Sequence, residues 1–295
     1  MKPALIFASI FTFTLGLYTP KVNATPAKTP KSFTEWCEQK ASLPEETRHT
    51  VEVLLEVAKT QNCRQANQKL SQLTELSLGV QDISDLQPLS NFINLTVLDL
   101  NFNKIRNIQP LSNLTKLTFL RCAGNEIRDI QPLSNLTNLT FLELTIKEDS
   151  NIQPLSNLTN LTSLLLVGNE IRDIQPLSNL TNLTELGIRG NQINNIQSLS
   201  NLTDLTYLYL KTDQITNLQP LSNLTNLTVL DLEGNQISNI QPLSNLTNLT
   251  RLNISGNQIK NIQSLCNLTK LELLIFQGNR VSLTQCPVKG DRLSP

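Results

Sequence analysis

Apolar residues recur along most of the chain with a fixed period of 22 residues. A representative unit has apolar side chains at Leu227, Leu230, Leu232, Ile237, Ile240, Leu243 and Leu246. The Leu-x-Leu segment has the two-residue period of a β-strand, whereas the later apolar positions recur every three residues, as in a 3₁₀ turn. Each unit is therefore predicted to contain one short strand followed by a turn-rich return.

The unit repeats without insertion or deletion, and glutamines spaced by 22 residues mark the returns from Gln87 to Gln263. The predicted strands are 76–78, 98–100, 120–122, 142–144, 164–166, 186–188, 208–210, 230–232, 252–254 and 274–276. This spacing is that of a leucine-rich repeat. We predict a right-handed α/β repeat solenoid over residues 73–286, a horseshoe with a concave parallel sheet, convex 3₁₀ or irregular segments and caps at both ends.

Asparagines follow most of the predicted strands, and their amides are expected to be buried and to bond backbone groups of neighbouring coils. They are Asn103, Asn125, Asn169, Asn191, Asn235, Asn257 and Asn279. Because they point inward, an asparagine-lined binding site is the weaker interpretation. Asp213 replaces one of them, and Lys147 and Asp149 break the pattern, so residues 146–150 are predicted to bulge outward. This bulge is either tolerated drift or a partner-contacting loop.

The first residues differ from the array in character. Met1 and Lys2 precede an apolar stretch over 4–18, and the small-residue pattern ending at Ala24 is typical of a secretory signal peptide spanning residues 1–24. An uncleaved membrane anchor is the alternative, but the stretch is short for a bilayer, and no membrane insertion is expected after signal removal. Residues 25–72 are predicted to form a linker and a helical N-terminal cap, with Thr50 able to open one helix, and 287–295 form a tail.

The five cysteines fit an exported protein. Cys37 and Cys63 flank the predicted cap, and a disulfide between them would close a 26-residue excursion. Cys266 and Cys286 are paired in the same way at the other end. Cys122 replaces an inward leucine and is expected to be a buried free thiol, whereas five reduced cysteines would require a cytosolic protein without a signal peptide.

The amino-acid composition argues against several classes of function. Lys plus Arg and Asp plus Glu both number 24, so the chain lacks the excess of positive charge that attracts the phosphates of nucleic acid. The single histidine, His49, has no relay partners and is interpreted as a solvated cap residue. We expect no catalytic residues, no metal site and no cofactor, and therefore a protein that is not an enzyme.

Sequence variation among the copies indicates the working surface. The return Q-P-L-S-N-L-T-N hardly changes, whereas outward strand positions differ from coil to coil, as selective recognition requires. Ten strands spaced by about 4.8 Å make a strip roughly 43 Å long. Exposed aromatics beside charges resemble interface hot spots, although the charges could instead merely pair across strands. The predicted partner-binding residues are Asp99, Phe119, Arg121, Phe141, Glu143, Leu165, Glu185, Tyr207, Tyr209, Lys211, Asp231 and Arg251.

The repeated L-x-x-L-x-L-x-x-N-x-I-x-x-I-Q-P-L-S-N-L-T-N resembles the internalin-type repeats of bacterial surface and secreted proteins, over about residues 73–279. The segment around Trp36-Cys37 and residues 43–49 is similar to the cap of exported leucine-rich repeat proteins of cyanobacteria. The resemblance implies protein binding by the concave sheet. No sorting motif, wall-binding module or immunoglobulin-like segment follows the array, so host-receptor binding and wall anchoring are not carried over.

The sequence therefore predicts a non-enzymatic scaffold, exported from a bacterium to the periplasm, surface or medium, that binds a partner protein as a monomer. Two alternatives remain open. The strip could bind envelope polysaccharide through Tyr207, Tyr209 and Asn253, or the chain could be a purely structural envelope protein.

Overall fold

The computed structural model describes residues 32–147, 151–168, 170–211, 213–281 and 293–294. The predicted signal peptide lies outside these residues. Within them the chain forms an N-terminal group of helices followed by a solenoid of stacked coils, as the repeat predicts.

Three helices form the N-terminal cap: α1 (Phe33–Glu38), α2 (Glu45–Ala58) and α3 (Cys63–Leu70). The prediction that Thr50 opens a helix is wrong. Helix α2 begins at Glu45, because Pro44 precedes it with a φ of −52° and two glutamates occupy its first turn, where the helix dipole favours negative charge. Thr50 is buried inside α2, and its hydroxyl donates to the Asp85 carbonyl at 2.7 Å, which ties the cap to the first coil.

Parallel strands follow one another in chain order in a single sheet. They are β1 (Glu75–Ser77), β2 (Val97–Asp99), β3 (Phe119–Ile127), β4 (Phe141–Ile146), β5 (Ser163–Val167), β6 (Glu185–Arg189), β7 (Tyr207–Lys211), β8 (Val229–Asp231), β9 (Arg251–Asn253), β10 (Leu273–Ile275) and β11 (Leu293–Ser294). Strands β1 to β10 begin one residue before their predicted positions. Strand β11 lies in the predicted tail and pairs in parallel with β10, so the tail adds a strand that the repeat did not indicate.

The core runs along the inside of the coils. Leu232 and Ile237 are fully buried and Leu230 nearly so, and the corresponding residues of the other coils stack above and below them. Strands β1 to β9 each lead to a 3₁₀ turn that begins at the repeated glutamine, and most of these turns have proline at their second position. The Asn239 side chain accepts a hydrogen bond from the Gln241 amide at 3.0 Å, and the same bond recurs in other coils.

The asparagine ladder is present in most of the coils that the structure describes, and Asn191 differs in that its nitrogen donates to the Arg189 carbonyl at 3.2 Å. Asn235 donates to the carbonyls of Leu210 and Leu232 at 2.7 and 3.1 Å, and its oxygen accepts from the Ile215 amide at 3.1 Å. One amide thus joins consecutive coils. Asn103, Asn125 and Asn257 make the same set of bonds, whereas Asn279 at the end of the array is only half-buried. Asn169 lies outside the described residues.

Two positions depart from the ladder in different ways. Asp213 keeps the buried position and accepts from the Ile193 amide at 3.1 Å, but its second carboxylate oxygen is buried without a hydrogen-bond partner. In the coil of β4, the Lys147 side chain is exposed. Ile146 ends β4 with its side chain in the core, so the predicted outward bulge is wrong at Ile146. Residues 148–150 lie outside the described part of the chain.

The cysteines of the cap form the predicted bond. Cys37 and Cys63 form a disulfide with a Cα–Cα distance of 5.5 Å, which links α1 to α3. Cys122 is a buried free thiol, as predicted, and burial raises its pKa, so it stays protonated. Cys286, the predicted partner of Cys266, lies outside the described residues, and this second bond stays a prediction.

Candidate protein-binding surface

Outward-facing side chains of the sheet form two parallel rows across the strands. The first row follows the register Phe119, Phe141, Ser163, Glu185 and Tyr207, and the second lies two residues further along each strand. We call these two rows from β1 to β10 the concave strip. The repeat brings the predicted residues side by side, because a constant coil length fixes the register of every strand pair.

Aromatic rings cluster at the N-terminal half of the concave strip. Phe119 and Phe141 stack with ring centroids 4.2 Å apart and planes inclined by 10°. The Arg121 guanidinium lies 5.2 and 5.5 Å from the two centroids and is 3.4 Å from the Glu143 carboxylate. That last contact is an ion pair without hydrogen-bond geometry, since the Arg121 Nε has no hydrogen-bond partner. Both residues are half-buried, so part of their surface remains accessible to a partner.

Carboxylates line the same region. Asp99 lies beside Arg121 in the register, but its carboxylate accepts from the Asn101 amide at 2.9 Å. Asn101, which the sequence analysis did not single out, donates from its side chain to Glu143 at 3.3 Å and accepts from the Ala123 amide at 2.7 Å. Glu143 is thus held in place by a hydrogen bond from another coil and Asp99 by one within its own coil, which reduces the entropy that binding would cost.

The middle of the concave strip is less charged. Leu165 is half-buried and covers Gly187, where a Cβ atom would approach the leucine side chain to 2.8 Å. Glu185 accepts a hydrogen bond from the Ser163 hydroxyl at 2.8 Å. This shallow stretch separates the aromatic end from a second charged group.

That second group surrounds Lys211. Its ammonium contacts Asp231 at 3.2 Å and Glu233 at 2.6 Å. The hydrogen bond that Lys211 donates to Glu233 raises the pKa of Lys211, and the same bond holds the pKa of Glu233 below its usual range. Tyr207 is 43% exposed, whereas Tyr209 is covered on one face by the Arg189 guanidinium at 4.8 Å. Glu233 and Arg189 were not among the predicted residues.

Two exposed apolar residues at the edge of the sheet were also missed. Val80 and Phe102 are 73% and 64% exposed, and both have left-handed backbones, with φ of 58° and 56°. Most later coils have glycine at this position, for example Gly124, which lies under the Phe102 ring. A branched or bulky residue in this conformation is a marked outlier. Aligning the coils by their 22-residue period would have shown the substitution, although not the strain.

Outside the concave strip, His49 differs from its predicted role. It is half-buried, and its Nε2 lies 2.6 Å from the Gln81 carbonyl, so it joins the cap to the first coil. In the described part of the chain, no helix has the length and apolar character to cross a bilayer. Within those same residues, no group of three or more His, Cys, Asp or Glu side chains could hold a metal ion.

Comparisons with known proteins agree with this architecture. A family model for leucine-rich repeats (two copies) matches residues 71–113, 159–202, 181–223, 203–245 and 225–267, together more than half of the 295-residue chain. No curated protein matches the chain.

Solved structures extend the likeness. An internalin of Listeria monocytogenes, InlF, is 31% identical with a TM-score of 0.70 over 89% of this chain and 82% of the internalin. A Leptospira interrogans leucine-rich repeat protein is 26% identical with a TM-score of 0.68 over 73% of this chain and 58% of its own. The Arabidopsis receptor kinase HAESA, solved with the peptide hormone IDA and the co-receptor SERK1, is 25% identical with a TM-score of 0.64 over 71% of this chain and 39% of the kinase. The chain therefore belongs to the leucine-rich repeat family, with repeats like those of internalins.

Proposed function

We propose that this protein is an exported, non-enzymatic scaffold that binds a partner protein on its concave strip. The observation that carries the proposal is the stacked pair Phe119 and Phe141 beside Arg121, held in register by parallel strands and partly exposed. Buried aromatic and arginine anchors with a charged surround are the usual centres of binding energy at protein interfaces. The HAESA complex shows that a related repeat array can take part in such assemblies.

Export is supported by the disulfide between Cys37 and Cys63, because such bonds persist in oxidising compartments. Residues 1–24 have the pattern of a secretory signal peptide. The Listeria internalin is a bacterial protein, and a bacterial envelope is therefore the first place to seek the partner. The similarity of the cap to that of cyanobacterial proteins stays a prediction, and so does the monomeric state of the protein.

Hydrogen bonding favours a protein partner over a polysaccharide. The Asn253 amide nitrogen donates to Glu233, and its oxygen accepts from Ser255. Arg189 covers one face of Tyr209. Sugar recognition requires free polar groups beside an open ring. Asn253 and one face of Tyr209 are already occupied by contacts within the protein, which leaves Tyr207, 43% exposed, as the open ring of the three.

Crosslinking capture from the native envelope tests the proposal. Wild type is compared with a variant carrying Phe119→Ala, Phe141→Ala, Tyr207→Ala and Tyr209→Ala, and with the matched variant Ile93→Ala, whose residue is 52% exposed on a return segment. We expect one protein to be captured by wild type and by the Ile93 variant but not by the fourfold variant. Equal capture by all three would contradict the proposal.

Separate experiments address the alternatives. Binding on a glycan array without capture of any protein would favour the polysaccharide function. A purely structural role predicts that charge reversals at Arg121, Lys211 and Asp231 change no interaction, whereas the proposed function predicts weaker capture.

A further inference from the structure

A small pocket opens on the concave strip between β7 and β10. It has a volume of about 240 Å³, and its walls include Tyr209, Val229, Leu273 and Ile275. The pocket exists because the short side chains of Asp231 and Asn253 lie between the larger Tyr209 and Ile275 in one row of the register. It is smaller than the roughly 300–1,000 Å³ typical of small-molecule sites, so its size suits a side chain of a bound protein.

Most polar groups around this pocket already have partners. The Lys211 ammonium is bound by Asp231 and Glu233, and both polar atoms of the Asn253 side chain are hydrogen-bonded. The Asp231 carboxylate also accepts from the Glu233 amide at 3.2 Å. These groups therefore need no hydrogen bond or ion pair from a ligand.

Arg251 is different. It lines the pocket, its side chain is exposed, and it has no ion-pair partner among the described residues. In the register its neighbours are Val229 and Leu273, both apolar. A guanidinium presents a fork of N–H donors that matches a carboxylate, and the apolar residues on either side of Arg251 offer no competing charge.

We propose that this pocket is a subsite for a partner segment carrying an aspartate or glutamate next to a large apolar residue. The carboxylate pairs with Arg251, and the apolar side chain fills the space against Val229, Leu273 and Ile275. This inference rests on the proposed binding of a protein by the concave strip, and adds the chemistry of one contact.

Peptide selection tests the subsite without knowledge of the natural partner. A phage-displayed library of random short peptides is selected on the purified protein, and on Arg251→Gln, Arg251→Glu and the control Lys260→Glu, an exposed cation on a return segment. Wild type and the control are expected to enrich Asp or Glu beside Leu, Ile, Phe or Trp. Arg251→Gln should lose this enrichment, and Arg251→Glu should favour Lys or Arg instead.

A double-mutant cycle then measures the contact. A selected peptide and its Asp→Asn or Glu→Gln form are titrated against wild type and Arg251→Gln. Each single change should weaken binding about tenfold, and the two together should weaken it little further, as a direct pair requires. Thermal unfolding of Arg251→Gln should be unchanged, because the side chain is exposed.

The outcomes separate this subsite from the broader function. Peptides whose binding is unchanged by Arg251→Gln but is lost with Phe119→Ala and Phe141→Ala would overturn the subsite and leave the proposed function standing. Peptides insensitive to all of these changes, or no enriched peptide at all, would overturn the subsite; insensitivity to all would also count against the concave strip.

Discussion

At the scale of single residues, the ladder contains one acidic member whose chemistry differs from that of its asparagine neighbours. Asn235 donates to the carbonyls 25 and three residues before it. The residues at the equivalent spacings before Asp213 are Ile188 and Leu210. The second carboxylate oxygen of Asp213 is buried without a hydrogen-bond partner, and it cannot donate to a carbonyl when ionised. Burial accordingly raises the pKa of Asp213 from 3.8 to about 6.

The pH dependence of stability follows from this shift. Between about pH 4 and pH 6 the folded protein holds a proton on Asp213 that the unfolded chain has released, so the free energy of unfolding rises as pH falls through this window. This stabilisation is lost as pH rises through about 6. Asp213→Asn should abolish this contribution and stabilise the protein at neutral pH by about 1–3 kcal/mol, since its amide can donate.

Urea unfolding of wild type, Asp213→Asn and the exposed control Asp204→Asn, measured across this pH range, checks the prediction. The control should keep the pH dependence of wild type. A less stable Asp213→Asn protein at neutral pH, or an unchanged pH profile, would contradict the interpretation.

Backbone strain at Val80 leads to a second prediction at this scale. A left-handed backbone costs an L-residue roughly 1–2 kcal/mol, whereas glycine adopts it freely but loses more entropy on folding. Val80→Gly should therefore leave the free energy of unfolding equal or raise it by up to about 1 kcal/mol. The matched change Val57→Gly, at a half-exposed position in the regular helix α2, should instead destabilise the protein.

Chemical denaturation of both variants measures the change in the free energy of unfolding, and partner capture tests whether Val80 contributes to binding. Strained residues that persist are often retained for function. We expect Val80→Gly to weaken capture while folding at least as well as wild type, and a clear loss of stability would show that the valine side chain is needed for the fold.

At the scale of elements, repetition made the coils predictable and its absence made the cap harder to predict. The 22-residue period fixes which residues face inward and which strand residues become neighbours, so both rows of the concave strip follow from the sequence. The start of α2 follows from Pro44 and the glutamates of its first turn, which hydrophobic spacing alone does not reveal. The buried Thr50 bonds to Asp85, 35 residues later, and this contact is one that local spacing does not contain.

The cap also depends on its disulfide. Closing a 26-residue separation is worth about 3 kcal/mol in the chain-entropy model. Replacing both Cys37 and Cys63 by serine should therefore destabilise α1 to α3 while leaving the central coils folded, because each coil contacts chiefly its neighbours. Hydrogen exchange should become faster over residues 33–70 and stay slow in β5 to β8.

Reducing agent applied to wild type should reproduce this exchange pattern in the cap, since Cys122 is already a thiol. It would also open the predicted disulfide between Cys266 and Cys286, so any added change near β10 reports on that second bond. Uniform loss of protection along the array would mean that cap and coils unfold as one unit, and unchanged protection of the cap would mean that its packing, with Phe33 against Phe92 at 6.1 Å, suffices.

At the scale of the whole molecule, a uniform scaffold carries a variable face. The sequence indicated the rows of this face, but not the pocket beside Arg251, because its depth depends on the volumes of Tyr209, Asp231 and Ile275 together. Nor did it indicate that Asn101 orients Glu143, a bond that spans two coils. Side-chain geometry between coils is therefore what the structure adds to the pattern.

The central claim is that the concave strip binds the partner through its aromatic end. The most direct test is the dissociation constant of the captured protein for wild type, for the double variant Phe119→Ala and Phe141→Ala, and for Ile93→Ala. Loss of two central aromatic anchors should weaken binding at least about tenfold, whereas Ile93→Ala should bind as wild type does. Equal dissociation constants for all three folded proteins would contradict the account.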